Sequence, residues 1–507
     1  MKFLSTASLL LSLGLGVYSQ SNITDCLAAA HIETIAPTSP SYRTAIRPLN
    51  SRTPWYPAAV AIPGSEEQVS AAVKCASQHS LKVQPLGGGH SYGAFGLGGQ
   101  NGSLVINMKH FRGVSFDSGT NIAVIGSGMR LGDIALALYA NGKRDIPHGV
   151  CGGVGIGGHA THGGFGFTSR MWGTTLDVVV GMDVVLADGS RKYVDKDTDP
   201  DLFWAFRGAG DSFGIITKFH VQTLLAPEVG TVFNFTFPGL KTAAERVAIF
   251  KSVQDFSITA DAKFHMRAFS VPSLGWGDSF TISGVYWGPK ETYLELIEPL
   301  ASAMPNNTRH LNQELDYLTA LSSFDQWQPL AQREPYNPPS VSFFTKSIIS
   351  PDPLSDASLT SFFNFITSPN ANTQGKTPVY WYVIHDLYGG QKSRIGEFPL
   401  ESASYAGRDA LWTMQLYSSP AGFGGGYPAA GFQFMQDMVD SVQKPQPETN
   451  FSAYPNYVDP SLKKEDALRL YYGPQLERLK QIKRKVDKND MFWNPQSVSV
   501  GRPPARK

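Results

Sequence analysis

The glycine-rich segment from Cys151 to Phe167, CGGVGIGGHATHGGFGF, most restricts what this chain can fold into. It contains the pattern Gly153-x-Gly155-x-x-Gly158, which is typical of a dinucleotide-binding turn between a strand and a helix. Three more glycines lie within residues 163–166, where that helix would continue, and each glycine costs about 1 kcal/mol in a helix interior. The segment therefore does not predict a Rossmann turn. It predicts a glycine loop whose backbone N–H groups approach a pyrophosphate or a flat ring system.

A second glycine cluster, PLGGGHSYGAFGLGG, surrounds His90 and Tyr92. An isolated histidine is most often a structural side chain, but a histidine in a chain with a free cysteine also suggests a metal site or Cys-His catalysis. His159 and His162 are too few ligands for zinc, because no supporting helix and no Glu accompanies their i, i+3 spacing. The glycine-rich surroundings of Cys151 offer no third member of a catalytic triad. The sequence therefore predicts no metal site.

The first 19 residues, MKFLSTASLLLSLGLGVYS, have the basic start, apolar run and small residues of a secretory signal peptide. A membrane anchor is the alternative, but the run is short and no later stretch reaches about 18 apolar residues. We therefore expect a secreted, extracellular protein with no membrane span. In a secreted chain, Asn-x-Ser/Thr sequons are candidate glycan sites. Five such sequons follow, at Asn22, Asn101, Asn234, Asn306 and Asn450.

Three cysteines are an odd number for an oxidising compartment, so the simplest arrangement is one disulfide and one free thiol. Cys26 and Cys75 each lie in helix-like, Ala-rich sequence, CLAAA and AAVKCASQ, whereas Cys151 lies among glycines. We therefore predict a disulfide between Cys26 and Cys75. The Cys151 thiol is then available for chemistry.

The 507 residues carry 43 Lys and Arg against 42 Asp and Glu, which gives a net charge of +1. This balance argues against a nucleic-acid-binding protein, which would carry a clustered basic surface. Only 17% of the residues are charged and 42% are hydrophobic, so the chain is not disordered. The length favours two or more domains.

Short apolar strands alternate with one or two helices over residues 58–226, which predicts a mixed α+β unit. Over residues 227–445, strand-like and helix-like segments are separated by long loops rich in Pro, Ser and Gly, which indicates a second domain. Apolar residues recur at helical spacing from Leu468 to Val486 and predict one amphipathic helix.

Several ordered motifs resemble one protein family: GGGHSYG, PHGVCGGVGIGGHATHGG, DLFWAFRGAGDSFGI and the C-terminal YPNYVD and MFWNPQS. They are similar to the secreted FAD-linked oxidases of the vanillyl-alcohol oxidase fold, and more narrowly to the berberine-bridge-enzyme-like fungal oligosaccharide oxidases. The likeness covers nearly the whole mature chain. It implies an α+β fold in which a two-part FAD-binding domain, residues 20–226 and 446–507, encloses a central α+β substrate-binding domain, residues 227–445.

The resemblance implies that FAD is attached twice, through the His of GGHSY and the Cys of the HGxC segment, which are His90 and Cys151 here. The odd cysteine and the glycine-embedded histidine then have one joint explanation. Neighbouring glycines would admit the cofactor, and the Ser91 hydroxyl would meet its phosphates. The implied cofactor-binding residues are Gly87, Gly88, Gly89, His90, Ser91, Cys151, Gly152, Gly153, Gly155, Gly157, Gly158 and His159.

The same resemblance implies two catalytic residues. Tyr457 in YPNYVD matches the tyrosine that serves as the catalytic base, and Asp386 in YVIHDLYGG matches the acid that assists it. A tyrosine with an ordinary pKa of about 10 is a poor base at neutral pH, so its environment must favour the phenolate. A nearby carboxylate raises that pKa by its charge. We therefore expect Asp386 to accept the proton or to orient the phenol.

Three positions match substrate-binding residues of the family: Tyr92, Gln415 in LWTMQLY and Arg267 in HMRAFS. The resemblance implies that Arg267 is typical of members acting on gluco-oligosaccharides, whereas chitin-type relatives carry Gln. Phe269 and Ile384 depart from the pattern, because gluco-oligosaccharide oxidases have Glu and Gln there. These replacements remove two sugar hydrogen bonds, so a xylose-based chain becomes a competing substrate.

We therefore expect a monomeric flavoprotein that oxidises the reducing-end C1 hydroxyl of an oligosaccharide to a lactone and reduces O2 to H2O2. Four aromatic residues are expected to stack on sugar rings in a groove of the middle domain. They are Trp381, Tyr382, Trp412 and Tyr417. Two alternatives stay open: a related enzyme acting on an alkaloid, a monolignol or another secondary metabolite, and a non-catalytic carbohydrate binder.

Overall fold

A computed structural model describes residues 23–273, 279–373, 376–422 and 425–500. The expected signal peptide and the sequon at Asn22 lie outside these residues. The strands are β1 (Glu33–Ile35), β2 (Ala59–Ile62), β3 (Val83–Leu86), β4 (Leu104–Asn107), β5 (Val114–Asp117), β6 (Ile122–Gly126), β7 (Arg144–Asp145), β8 (Val179–Val185), β9 (Arg191–Val194), β10 (Ile215–Gln222), β11 (Leu224–Leu225), β12 (Val229–Thr236), β13 (Phe264–Ser270), β14 (Phe280–Tyr286), β15 (Arg309–Asp316), β16 (Phe344–Ser350), β17 (Val379–Leu387) and β18 (Trp412–Pro420).

The helices alternate with these strands, which confirms the predicted α+β class. They are α1 (23–29), α2 (Tyr42–Ala45), α3 (Glu66–Gln78), α4 (Leu131–Ala140), α5 (Ile156–Thr161), α6 (Ser169–Trp172), α7 (Pro200–Ala209), α8 (Ala243–Thr259), α9 (Lys290–Ser302), α10 (Tyr317–Phe324), α11 (Asp356–Thr367), α12 (Pro369–Asn372), α13 (Ala429–Gln443), α14 (Lys464–Tyr472) and α15 (Leu476–Val486). None of the described helices is long and apolar enough to cross a membrane.

The N-terminal unit, which comprises β1–β10, contains two main sheets. The first has the order β1-β2-β4-β3, with β2, β4 and β3 parallel, and the second has the antiparallel order β5-β6-β10-β8-β9. All four residues of β2 are buried, as expected of a parallel strand covered on both faces. In the glycine-rich segment, helix α5 ends at Thr161, before Gly163 and Gly164, whose φ angles are 110° and 87°. The segment is therefore not a Rossmann turn, as the sequence predicts.

The central sheet is antiparallel, with the strand order β15-β12-β14-β13-β17-β18-β16. One face packs against α8, α11 and α13 and forms an apolar core. Trp381 and Trp412 lie in this core with no exposed surface, and their indole N–H groups donate to the carbonyl of Ala371 and to Gln254. The expectation that these tryptophans line a sugar groove is therefore wrong. Side chains alternate along a strand, so the groove side belongs to Tyr382 and Tyr417.

The C-terminal stretch forms two helices, α14 and α15, instead of the single predicted helix. The break falls at Gly473 and Pro474, because proline has no N–H for the helical ladder and its ring clashes with the preceding turn. Leu468 and Leu479 from these helices pack with Trp204 in the core of the N-terminal unit. The chain therefore returns to its first unit after completing the central sheet.

Cys26 and Cys75 are joined by the predicted disulfide, and Cys151 is a free cysteine. Three of the described sequons, at Asn101, Asn306 and Asn450, are exposed. Asn234 is half-buried in the middle of β12, which is paired on both edges. It is therefore the least accessible of the four.

Lys483 links α15 to the N-terminal unit. It is fully buried and donates to Asp487 at 2.7 Å and to the carbonyls of Ser212 and Phe492. We expect Lys483→Met to lower the free energy of unfolding by about 3–5 kcal/mol, because it leaves the buried carboxylate unpaired. The measurement is the shift in Tm. Lys480→Met is the matched control, since Lys480 pairs with the exposed Glu477 and should contribute less than about 1 kcal/mol. Equal shifts in the two variants would contradict the prediction.

Candidate active site

A cavity of about 560 Å³ lies between the N-terminal unit and the central sheet. Most of the lining comes from four groups of residues: the His90 loop (residues 87–92), the Cys151 loop (residues 149–159), side chains of β13, β17 and β18, and residues 454–458. The cavity collects all the predicted cofactor, catalytic and substrate residues except Gly152 and Gly153. These two glycines face the segment that contains Leu330 and Tyr336 instead.

The His90 and Cys151 loops touch backbone to backbone. A Cβ atom added at Gly88 would lie 2.2 Å from the backbone N of Gly155, and one added at Gly155 would lie 2.3 Å from the N of Gly88. Only glycine permits this approach at both positions. Arg130 Nη1 reinforces it by donating to the carbonyls of Gly88 at 3.1 Å and Gly153 at 2.6 Å. The two loops are therefore held as one wall of the cavity.

His90 and Cys151 are the two nucleophilic side chains of this wall. Burial and the Arg130 charge lower the pKa of His90 to about 4, so its imidazole is neutral at neutral pH. Burial raises the pKa of the Cys151 thiol, and the nearby Asp325 carboxylate adds to this effect. A glycine-rich cradle with a neutral imidazole and a free thiol fits a flat dinucleotide cofactor such as FAD.

His159 and Ser91 hold the loops in shape. His159 Nε2 accepts a hydrogen bond from the backbone N–H of Gly149 at 3.1 Å, and burial lowers the pKa of its imidazole to about 3. The hydroxyl of Ser91 accepts from the backbone N–H of Phe95 at 3.2 Å. Both side chains also line the cavity, so they can contact a bound cofactor while they keep these hydrogen bonds within the protein.

The register of the central sheet brings the opposite wall together. Arg267 pairs with Asp386 across β13 and β17, and Ile384 pairs with Gln415 across β17 and β18. Because side chains two residues apart share a face, these residues and Tyr382 lie on the cavity side. Gln415 donates to the Tyr92 hydroxyl at 2.7 Å and so connects this wall to the His90 loop.

Phe269 lies at the edge of this wall. It pairs with Ile384, and its ring lies 5.7 Å from the ring of Tyr382. The Tyr382 ring is stacked in turn on Tyr417, with centroids 4.6 Å apart. Ile384, Tyr382 and Tyr417 line the cavity directly, whereas Phe269 contacts it through Tyr382. The wall at this end is therefore aromatic and apolar.

Asp386 is a buried carboxylate with two basic neighbours. Arg267 Nε donates to Asp386 Oδ1 at 3.0 Å, and His265 Nε2 lies 3.4 Å from the same oxygen. Burial raises the pKa of Asp386, but Arg267 and His265 outweigh burial and hold it below the usual value. The carboxyl group is therefore ionised at neutral pH. The ring of Phe167 supports both neighbours, since it stacks on His265 at 3.9 Å and lies 4.6 Å from the Arg267 guanidinium carbon.

Tyr457 lies on the segment 452–459, which docks along β16. The Thr345 hydroxyl donates to the carbonyl of Val458 at 3.1 Å, and Lys346 forms a buried ion pair with Asp459 at 2.6 Å. The Tyr457 ring is stacked parallel to Tyr92, with centroids 6.0 Å apart. The phenol thus faces the cavity between its two walls.

The environment of Tyr457 favours the neutral phenol, so the expectation that it favours the phenolate is wrong. Burial raises the pKa of Tyr457 well above its usual value, with further contributions from Asp386, Tyr92 and Tyr454. Arg267 is the cation that acts in the opposite direction. The phenol therefore needs a proton acceptor or a bound partner before it acts as a base.

Sequence reasoning missed four residues of the site. Tyr336 contacts His90, Lys346 anchors the segment 452–459, His265 contacts Asp386, and Asn456 donates to the carbonyls of His159 and His162. Asn456 lies next to Tyr457 in YPNYVD, so this motif could have identified it as a residue of the site. Tyr336 and Lys346 lie in segments without a recognised motif.

Comparison with known proteins agrees with this geometry. Residues 57–194 match the family model of the FAD binding domain, and residues 453–499 match the model described as berberine and berberine like. The xylooligosaccharide oxidase of Thermothelomyces thermophilus is 34% identical over 94% of both chains. The FAD-linked oxidoreductase dpmaF of Metarhizium anisopliae is also 34% identical, over 94% of this chain and 90% of its own.

A solved structure extends the likeness to the whole fold. The glucooligosaccharide oxidase from Acremonium strictum, described with a 6-S-cysteinyl, 8α-N1-histidyl FAD, has a TM-score of 0.88 at 32% identity and covers 94% of this chain and 99% of that one. The protein therefore belongs to the berberine-bridge-enzyme-like FAD-linked oxidases. It is an FAD-dependent oxidoreductase with named carbohydrate oxidases among its relatives.

Proposed function

We propose that this protein is a secreted, monomeric oxidase that converts the reducing-end C1 hydroxyl of cello- or xylo-type oligosaccharides to a lactone, with FAD linked to His90 and Cys151. The observation that carries the proposal is the position of Tyr457, which stacks on Tyr92 and lines the same cavity as Gln415, His90 and Cys151. The FAD-binding domain would comprise residues 20–226 and 446–507, and the substrate-binding domain residues 227–445.

In the proposed reaction, Tyr457 takes the proton of the C1 hydroxyl. FAD held by His90 and Cys151 would supply the redox chemistry, which is acceptance of the hydride from C1 and transfer of the electrons to dioxygen to give hydrogen peroxide. Asp386 is ionised and accepts the phenol proton or orients the phenol, and the Arg267 charge opposes, without outweighing, the rise in the pKa of Tyr457. Tyr92 and Gln415 orient the sugar, since both present hydrogen-bonding groups to the cavity.

The apolar wall around Ile384 favours a sugar that has no hydroxymethyl group facing this wall. Hydroxyls facing Ile384 would be buried without partners, at about 1–3 kcal/mol each. A pentose has no hydroxymethyl group and avoids part of that penalty, so xylo-type chains compete well with cello-type chains. N-acetylglucosamine oligomers are expected to be poor substrates, because Arg267 offers hydrogen-bond donors only.

A second candidate function is the oxidation of an aromatic or apolar alcohol of secondary metabolism. The stacked rings of Tyr382 and Tyr417 beside Ile384 favour it, as does the similarity to an FAD-linked oxidoreductase outside the named carbohydrate oxidases. Peroxide assays over an array of sugars and aromatic alcohols distinguish the two candidates.

Covalent attachment of the flavin is the first test. Wild-type protein precipitated in acid should remain yellow, because both linkages survive denaturation. His90→Ala and Cys151→Ala should each retain flavin through the other residue, whereas the double variant should release it. Absorbance of the precipitate and of the supernatant measures the outcome. Free FAD in the wild-type supernatant would overturn the proposed linkage.

The second test concerns the base. Tyr457→Phe should lower the rate of flavin reduction by sugar by about 10²–10⁴-fold, which is the usual contribution of acid–base catalysis. Stopped-flow absorbance measures this rate. Tyr454→Phe is the control for a nearby phenol, since the Tyr454 hydroxyl accepts from the backbone N–H groups of Gly164 and Phe165. Near-normal reduction in Tyr457→Phe would move the base to another residue.

The third test concerns the apolar wall. Ile384→Gln and Phe269→Glu should each shift the ratio of kcat/KM toward glucose-type over xylose-type chains, by about fivefold or more for Ile384→Gln, which lines the cavity directly. Ile384→Leu keeps the wall apolar and should leave the ratio unchanged. A wild-type enzyme that prefers chito-oligosaccharides to both sugars would contradict the interpretation of Arg267.

A further inference from the structure

Tyr336 contacts both His90 and Gly153 of the Cys151 loop. The Tyr336 hydroxyl lies 2.7 Å from His90 Nε2, within hydrogen-bond distance. The hydroxyl also fills the space that a side chain at Gly153 would occupy, since an added Cβ there would lie 2.0 Å from it. Gly153 does not line the cavity, so direct cofactor binding does not explain why this position is a glycine. The close contact with Tyr336 does explain it.

Tyr336 is held in this position from both ends. The Arg130 guanidinium carbon lies 3.6 Å from the centre of its ring, a cation–π contact, and the same side chain bonds to Gly88 and Gly153. The backbone N–H of Tyr336 donates to Glu334 at 3.1 Å, and Glu334 pairs with Arg112. The hydroxyl is therefore positioned by the network that joins the two loops.

A neutral histidine that forms a bond through one ring nitrogen must carry its proton on the other nitrogen until that bond forms. The tautomer of a histidine is set by the hydrogen bond that the second nitrogen makes. We propose that Tyr336 is a positioning residue for flavin attachment: its oxygen accepts the Nε2 proton of His90, so that Nδ1 presents the lone pair that bonds to the flavin. This inference rests on the proposed linkage of FAD to His90.

The atoms and electrons of this step balance. A bond forms between His90 Nδ1 and the carbon of the ring methyl group of the flavin, and one C–H bond of that methyl group breaks. The methyl proton and the Nε2 proton both go to the flavin ring, which holds the two electrons of the broken bond. Dioxygen then removes the two electrons and two protons as hydrogen peroxide, the same oxidant that the proposed activity uses. Tyr336 accepts the hydrogen bond from the proton that leaves Nε2.

The protonation states are compatible with this role. Burial and Arg130 lower the pKa of His90 to about 4, so the imidazole keeps a free lone pair at neutral pH. Burial raises the pKa of Tyr336 to about 12, so the phenol stays neutral.

The test uses a background in which only the histidine linkage can form. In Cys151→Ala protein incubated with FAD, flavin that remains after acid precipitation is attached to His90, and mass spectrometry of the peptide containing residue 90 identifies it. We expect Cys151→Ala/Tyr336→Phe to attach flavin at least tenfold more slowly than Cys151→Ala. Tyr336→Phe with Cys151 present should keep its flavin in acid, which shows that folding and FAD binding survive.

Tyr293→Phe is the matched control in the same background. It also removes a tyrosine–histidine contact, 2.6 Å from Tyr293 Oη to His310 Nε2, but in the core of the central sheet. This variant should attach flavin at the rate of Cys151→Ala. An equal rate in Cys151→Ala/Tyr336→Phe would overturn the role of Tyr336 alone, whereas complete release of flavin from Cys151→Ala would overturn the histidine linkage as well.

Discussion

The contact between the backbones of Gly88 and Gly155 determines where both cofactor-linking candidates lie. The two glycines are 67 positions apart in the chain, yet each leaves no room for a Cβ atom on the other. Arg130 ties the same two loops through their carbonyl groups, and its own backbone forms a bridge with Gly155. A cofactor attached at two points requires both nucleophiles to be placed before it binds. The glycine contact supplies that placement, because it fixes the two loops relative to each other.

The opposite wall depends on a buried charge. Taking a carboxylate such as Asp386 out of water is unfavourable by several kcal/mol unless cations and hydrogen bonds compensate. Arg267 and His265 provide this compensation, and antiparallel pairing of β13 with β17 makes it possible. Arg267 also opposes the rise in the pKa of Tyr457 that burial causes, and it lines the cavity. A substitution at Arg267 therefore changes the substrate wall and the charge around the phenol together, so its effects on KM and kcat are not separable by inspection.

The sequence predicts those parts of the site that local patterns encode. The density of glycines identifies the two loops, and the odd number of cysteines identifies Cys151 as the free thiol. The family motifs identify Tyr457 and Asp386. The tryptophan expectation failed because the alternation along β17 and β18 defines two faces without saying which face meets the helices. Tyr336 and Lys346 were missed because their roles arise from contacts with residues 246 and 113 positions away. A local sequence pattern does not predict contacts between residues so far apart in the chain.

The segment 452–459 explains how the two units act as one site. It is anchored to β16 through Lys346 and Asp459, and the helices that follow it are anchored to the N-terminal unit through the buried Lys483. Within the segment, Asn456 donates to the carbonyls of His159 and His162, which belong to the glycine-rich segment. Tyr457 is therefore fixed relative to the Cys151 loop and to the central sheet at the same time. Since small displacements of a reacting group lower rates strongly, the return of the chain to its first unit sets the geometry of the proposed base as well as the stability of the fold.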